Sequence, residues 1–169
     1  MLTFFIFKWF KIDIKIDFQI YSYKEMQEVI MMIEIYFDGA SAGNPGPSGA
    51  GIFIKANKLP ESYSIPLDDM SNHEAEFHAF IIALEICIEK EYKVVSFRTD
   101  SQLVNRAIEK EFVKNKLYSP LLEKALTLTK QFDLFFLKWI PSSVNKNADE
   151  LARNAIVQSR KKRNPNTTL

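Results

Sequence analysis

Ile33-Glu-Ile-Tyr-Phe-Asp-Gly-Ala-Ser-Ala-Gly-Asn-Pro-Gly-Pro47 begins as a strand and ends as a turn. Ile33, Ile35 and Phe37 alternate with Glu34, Tyr36 and Asp38, the period-two pattern of a strand with one buried face, so a first strand ends at Asp38. The glycine- and proline-rich segment from Gly39 to Gly51 then predicts a turn. Gly51 to Lys55 and Tyr63 to Leu67 read as two further strands joined through Ala56 to Pro60, which makes an antiparallel meander.

Helical periods follow. Ser71, with Glu74 three residues on, is a capping box for a helix running to about Glu89, whose buried stripe is Ala79, Phe80, Ala83, Leu84, Ile86 and Cys87. Lys93 to Thr99 is β-branched and aromatic, a fourth strand. Asp100-Ser101 opens a helix through Leu103, Val104, Ala107 and Ile108. Ser119-Pro120 opens another, with Leu121, Leu122, Ala125, Leu126 and Leu128 in the core. Phe132 to Ile140 is a fifth strand, stopped by Pro141, and Asn145 to about Ser159 is the last helix. The order βββαβααβα predicts an α/β fold with a mixed five-stranded sheet flanked by helices.

Composition narrows the function classes. With 47% hydrophobic and 25% charged residues, the 169-residue chain can bury one sizeable core. A net charge of +1 gives no global footprint for a polyanion, so any such binding is local. The single cysteine, Cys87, excludes a disulfide framework and a thiolate zinc cluster; it suits a reducing compartment, and a cytoplasmic location is expected.

Residues 1–31 differ from the rest. Their apolar opening is interrupted from Lys8 onward, far short of the roughly 18 to 20 apolar residues of a membrane span, and no small-residue cleavage site follows it. Residues 12–18 alternate strictly, the pattern of an extra edge strand. Gln27-Glu-Val-Ile30, however, back-translates to a purine-rich ribosome-binding sequence running into the codons of Met31 and Met32. Residues 1–31 are therefore expected to be a translated leader or disordered extension, 32–159 the folded domain, and 160–169 a basic disordered tail. After Met31 there remain 18 basic and 17 acidic residues, and the run Arg160-Lys161-Lys162-Arg163 supplies the whole positive excess. Deleting Arg160 to Leu169 should reduce the salt dependence of any polyanion binding, measured as the slope of log affinity against log salt; an unchanged slope counts against the tail.

Four acids sit where structure alone would not place them. Asp38 ends an apolar strand before glycine, and Asp100 ends the fourth strand, which a crossover lays beside the first. Glu76 shares the apolar stripe of its helix with Ala79, Phe80 and Ala83, and Asp149 borders the stripe of Ala152 and Ile156. Carboxylates drawn together raise one another's pKa unless a cation offsets the charge. All-oxygen ligands favour magnesium or manganese, and two such ions can support in-line phosphodiester displacement.

Asp38-Gly-Ala-Ser-Ala-Gly-Asn-Pro-Gly-Pro47, Ser71-Asn-His-Glu-Ala-Glu76, Thr99-Asp100-Ser101-Gln102 and Asn145-Lys-Asn-Ala-Asp149-Glu-Leu-Ala152 together resemble the four-block signature of type 1 ribonuclease H, in that family's order. The resemblance implies a ribonuclease H-like fold and endonucleolytic cleavage of the RNA strand of an RNA–DNA hybrid, leaving a 5′-phosphate and a 3′-hydroxyl. It implies two Mg²⁺ ions, with Mn²⁺ a possible substitute, held by Asp38, Glu76, Asp100 and Asp149, Asp38 bridging the pair. Asn44, Asn72 and Gln102 match positions at which the family contacts the hybrid. A monomer with no small-molecule cofactor and no membrane partner is expected.

Two departures stand out. The stretch Trp139-Ile-Pro-Ser-Ser-Val-Asn-Lys146 lacks the histidine that many members carry before the last catalytic aspartate, which implies slower turnover. The basic, Trp-rich handle of some members is also missing, since Glu109 to Ser119 offers only Lys110, Lys114 and Lys116. These departures favour an alternative, a catalytically weak or inactive nucleic-acid-binding or interaction module on the same fold; the four retained acids oppose it. A third reading, a transposase or integrase on a related fold, is disfavoured because the sequence shows none of the extra DNA-binding domains such chemistry uses, and fold alone does not imply function. His73 and His78 are five apart, not the four that puts two zinc ligands on one helix face. Gly46 to Gly51 forms no nucleotide-binding glycine loop, Cys87 reads as core, and Trp139 reads as buried beside Pro141.

Overall fold

Strand and helix elements follow the expected order. The structure, a computed structural model, describes residues 32–56 and 59–163. The proposed leader, the alternating stretch 12–18 and the end of the chain from residue 164 lie outside the described residues. The elements are β1 (Ile33–Ser41), β2 (Gly46–Lys55), β3 (Glu61–Met70), α1 (Asn72–Glu89), β4 (Val94–Thr99), α2 (Gln102–Lys110), α3 (Ser119–Thr129), β5 (Leu134–Trp139) and α4 (Lys146–Arg163). Short 3₁₀ turns cover Lys116–Tyr118 and Ser142–Val144.

The sheet runs β3-β2-β1-β4-β5. Its β1–β2 and β2–β3 pairs are antiparallel and its β1–β4 and β4–β5 pairs parallel, the mixed sheet expected from a meander followed by helical crossovers. Tyr36 pairs with Arg98 across the parallel β1–β4 seam, so two residues further along each strand Asp38 and Asp100 emerge side by side. One face packs on α1 through Phe37, Phe80 and Phe97, all fully buried, with Phe37 and Phe80 stacked at 4.9 Å. Burial of each such ring is worth roughly 2–3 kcal/mol over exposure. The other face packs α4 on β1, β2 and β3.

Several boundaries differ from expectation, each for a packing reason. The strands β1 and β2 stay paired through Gly39–Ala50, Ala40–Gly49 and Ser41–Ser48, so the turn shrinks to residues 42–45. Among the described residues no glycine has a positive φ. These glycines serve close approach instead: a Cβ on Gly39 would lie 2.1 Å from the Ala75 carbonyl carbon, and one on Gly51 would lie 2.0 Å from the Ala148 carbonyl oxygen. The third strand extends past both ends of Tyr63–Leu67 because β2 pairs with it from Ile54–Glu61 to Gly46–Met70. In α1, Ala75, Phe77 and Ile81 are buried and Ile86 is only half-buried, because the helix is covered by α3 as well as by the sheet.

At the other end of the sheet, Leu103, Ile108, Leu121, Leu126 and Leu128 are half-buried. The fifth strand is two residues shorter at its start and one at its end than Phe132–Ile140; Phe132 belongs to the turn leaving α3, its N–H donating to the Thr129 carbonyl. The last helix continues past Ser159 to Arg163, so the basic run is helical rather than disordered. Ser159 is buried against the sheet, and no proline or glycine interrupts the chain before Pro165. No helix among the described residues is long and apolar enough to cross a membrane.

Candidate active site

The C-terminal ends of β1 and β4 and the adjoining helices frame an open cleft of about 670 Å³. Asp38, Glu76, Asp100 and Asp149 all line it, together with Asn72, Ser142 and Arg153. Four acids from β1, α1, the β4–α2 junction and α4 thus converge at one place, as their positions at strand ends and stripe borders led us to expect.

Local capping chemistry decides which acids are free to point there. Ser71 and Glu74 form the capping box of α1: the Ser71 N–H donates to Glu74 Oε2 at 2.9 Å and the Glu74 N–H donates to Ser71 Oγ at 3.3 Å. Glu74 is thereby committed, and Glu76 is left for the cleft. At α2 the N-cap is Ser101, whose Oγ accepts from the Val104 N–H at 3.2 Å. Asp100 is therefore not a helix cap. The same Ser101 hydroxyl donates to Glu76 Oε2 at 2.6 Å, tying α1 to the start of α2.

Further polar contacts fix the remaining groups. Asn72 accepts from the Ser41 N–H at 3.2 Å and donates to Glu76 Oε1 at 3.3 Å. Asn145, only 1% exposed, donates from Nδ2 to Asp100 Oδ1 at 2.7 Å and to the Phe37 carbonyl at 3.0 Å. Its Oδ1 is buried without a protein partner. Asp149 accepts from Arg153 Nε at 2.8 Å, one helical turn away. Trp139 donates from Nε1 to the Asp100 carbonyl at 3.1 Å. Contrary to expectation Trp139 is 41% exposed, at the end of β5, the edge strand of the sheet.

Electrostatics follow from this crowding. Burial, and then the charges of Asp100, Asp149 and Glu76, push the Asp38 carboxyl up to about 7. Glu76 is also raised, mainly by burial, with the Ser101 hydrogen bond opposing the shift. A site that so disfavours its own negative charge suits a cation, and its donors are all oxygen, the set preferred by hard divalent ions. Among the described residues no three of these side chains enclose an ion by themselves as they stand. An open, acidic cleft of this kind fits an ion that keeps several of its own waters, as Mg²⁺ does.

The other expected contact residues are spread more widely. Asn44 is exposed in the 42–45 turn, on a cis Asn44–Pro45 bond, and does not line the cleft. Gln102 is exposed at the head of a second groove of about 290 Å³, shared with Arg106, Lys110, Phe112 and Lys114. Composition had shown only scattered lysines in this stretch; α2 and the residues that follow it gather Arg106, Lys110 and Lys114 around one groove. Ser101, Asn145 and Arg153 are the site residues that the sequence did not single out. Asn145 did have a signal, since it opens the block ending at Ala152, but its burial belongs to the packing.

Known proteins match this framework. The reverse transcriptase-like family profile covers residues 36–155. EbsB of Enterococcus faecalis, a hydrolase by name, is 42% identical over 127 residues, covering 74% of this chain and 94% of its own. A ribonuclease H of Pseudoalteromonas translucida is 33% identical over 138 residues, covering 73% of this chain and 88% of its own. LC11-RNase H1, isolated from compost and solved with an RNA/DNA hybrid, superposes with a TM-score of 0.66 at 30% identity, over 75% of this chain and 98% of that one. With the sheet order, the cleft and these relatives in agreement, the chain belongs to the ribonuclease H family of hydrolases.

Proposed function

We propose that this protein is an endonuclease that hydrolyses the RNA strand of RNA–DNA hybrids, with Asp38, Glu76, Asp100 and Asp149 holding two Mg²⁺ ions, for which Mn²⁺ can substitute. The observation that carries the reading is the convergence of four carboxylates on one cleft, with Asp38 pushed up to about 7 by burial and by the other three. Divalent ions held there would supply an activated water and charge stabilisation at the leaving oxygen, the chemistry of a cleavage that leaves 5′-phosphate and 3′-hydroxyl ends.

The chain's own residues do the positioning. Ser101 and Asn72 each hold one oxygen of Glu76, and Asn145 holds Asp100 against the end of β1. With these rotamers fixed, little reorganisation is left for the reaction itself. Asn72, which lines the cleft, would meet the hybrid's sugars and base edges; Asn44 lies outside the cleft on the 42–45 turn and would contact the hybrid from there, and Gln102 leads into the groove whose Arg106, Lys110 and Lys114 suit a phosphate backbone. Contacts to RNA 2′-hydroxyls distinguish the cleaved strand without reading sequence. The protein acts as a monomer in the cytoplasm.

One assay tests the whole reading: end-labelled hybrid, duplex DNA and duplex RNA, each with Mg²⁺, Mn²⁺ or chelator. Cleavage confined to the RNA of the hybrid and abolished by chelator is expected. Cleavage of duplex DNA, or full activity in chelator, rejects the assignment.

A further inference from the structure

Arg153 is the one cation among the described residues that line the acidic cleft. It stands one turn beyond Asp149 on α4, and its Nε–H donates to Asp149 Oδ1 at 2.8 Å. Both partners remain accessible, with side chains 73% and 42% exposed, so the pair adds little to stability. Only one N–H of the guanidinium is engaged; among the described residues its terminal nitrogens have no hydrogen-bond partner, which leaves a free fork of the kind that grips phosphate.

This placement gives Arg153 two opposed relations to the site. It occupies an oxygen of a carboxylate needed for metal, and it puts a positive charge beside the place where a cation must enter. A phosphate oxygen entering the cleft is a better match for the guanidinium fork than the single contact to Asp149. We propose that Arg153 exchanges Asp149 for a backbone phosphate of the bound nucleic acid, so that substrate binding releases Asp149 for metal and couples the two events. It is a positioning residue, and its role rests on the metal-dependent reading of the cleft given above. By reciprocity, metal loading then favours hybrid binding by the same factor.

The experiment measures Mn²⁺ binding to the full chain without nucleic acid, by water-proton relaxation, for wild type, Arg153→Ala, Arg153→Lys and Asp149→Asn. It then measures KM and kcat on hybrid at saturating Mg²⁺ for the wild type and the two Arg153 variants. Arg153→Ala should bind Mn²⁺ about three- to fivefold more tightly, because a like charge a few ångströms away has gone. Its KM for hybrid should rise several-fold with a smaller change in kcat. Arg153→Lys should keep the wild-type Mn²⁺ affinity but share the raised KM, since it retains the charge and loses the fork. A purely structural role would move the melting temperature and neither affinity. Unchanged Mn²⁺ affinity or an unchanged KM in Arg153→Ala overturns the exchange alone. If Asp149→Asn binds Mn²⁺ as the wild type does, the metal reading of the cleft fails, and the exchange falls with it.

Discussion

Asp38→Asn should lower kcat on the hybrid by at least about 10³-fold while making the metal-free fold more stable at alkaline pH. The loss follows because Asp38 is the central acid of the cleft, the one whose charge is felt with Asp100, Asp149 and Glu76. The gain follows from linkage. Its folded pKa, about 7, lies above the ordinary 3.8, so between those values the folded protein keeps a proton that the unfolded chain has lost. Stability is therefore undiminished below about pH 4, falls as the pH rises, and is fully reduced above pH 7. For a half-buried group with solvent screening the reduction is about 2 kcal/mol, half the unscreened value. Asparagine removes it. Melting curves in chelator should coincide for wild type and variant at pH 4 and separate at pH 8, the variant melting higher. Retained hybrid cleavage, or a variant less stable than wild type at pH 8, would falsify the role given to Asp38.

Gly51→Ala should destabilise the fold by about 3 kcal/mol or more, an unusually large effect for one methyl group. The added Cβ would meet the Ala148 carbonyl oxygen at 2.0 Å and the Ala152 nitrogen at 2.4 Å, both backbone atoms that cannot rotate away. Relief requires α4 to lift from β2. Asp149 follows Ala148 directly, so the same shift draws a carboxylate out of the cleft. Urea unfolding should show a lowered midpoint with an unchanged slope, and kcat per folded molecule should fall as well. A midpoint within experimental error of wild type would show that the helix does not rest on this glycine.

The two predictions mark where local reading succeeds and where it stops. Alternation from Ile33 to Asp38 and the Ser71–Glu74 capping box are properties of a few consecutive residues, so both were legible and both are present. The four acids were legible for a different reason: each interrupts a pattern of apolar residues, and burying a carboxylate is costly enough that such an interruption carries information. The glycines from 39 to 51 were misread because a turn and a close helix contact leave the same mark in a sequence, a missing side chain. The end of the last helix at Ser159 was misplaced because a basic run resembles a tail until its helix is seen to continue.

The sequence by itself determined the order of elements, the strand pairing class and which four acids were candidates for one cleft, since periodicity, caps and charge are written in neighbouring residues. Only the tertiary structure decided how those acids are held. Asn145 reaches the Phe37 carbonyl across 108 residues of chain and Ser101 reaches Glu76 across 25. Whether Asp149 reaches the cleft depends on how closely α4 settles on Gly51. Contacts of that kind depend on the distance between packed backbones, set jointly by residues far apart in the chain, and no local pattern encodes it.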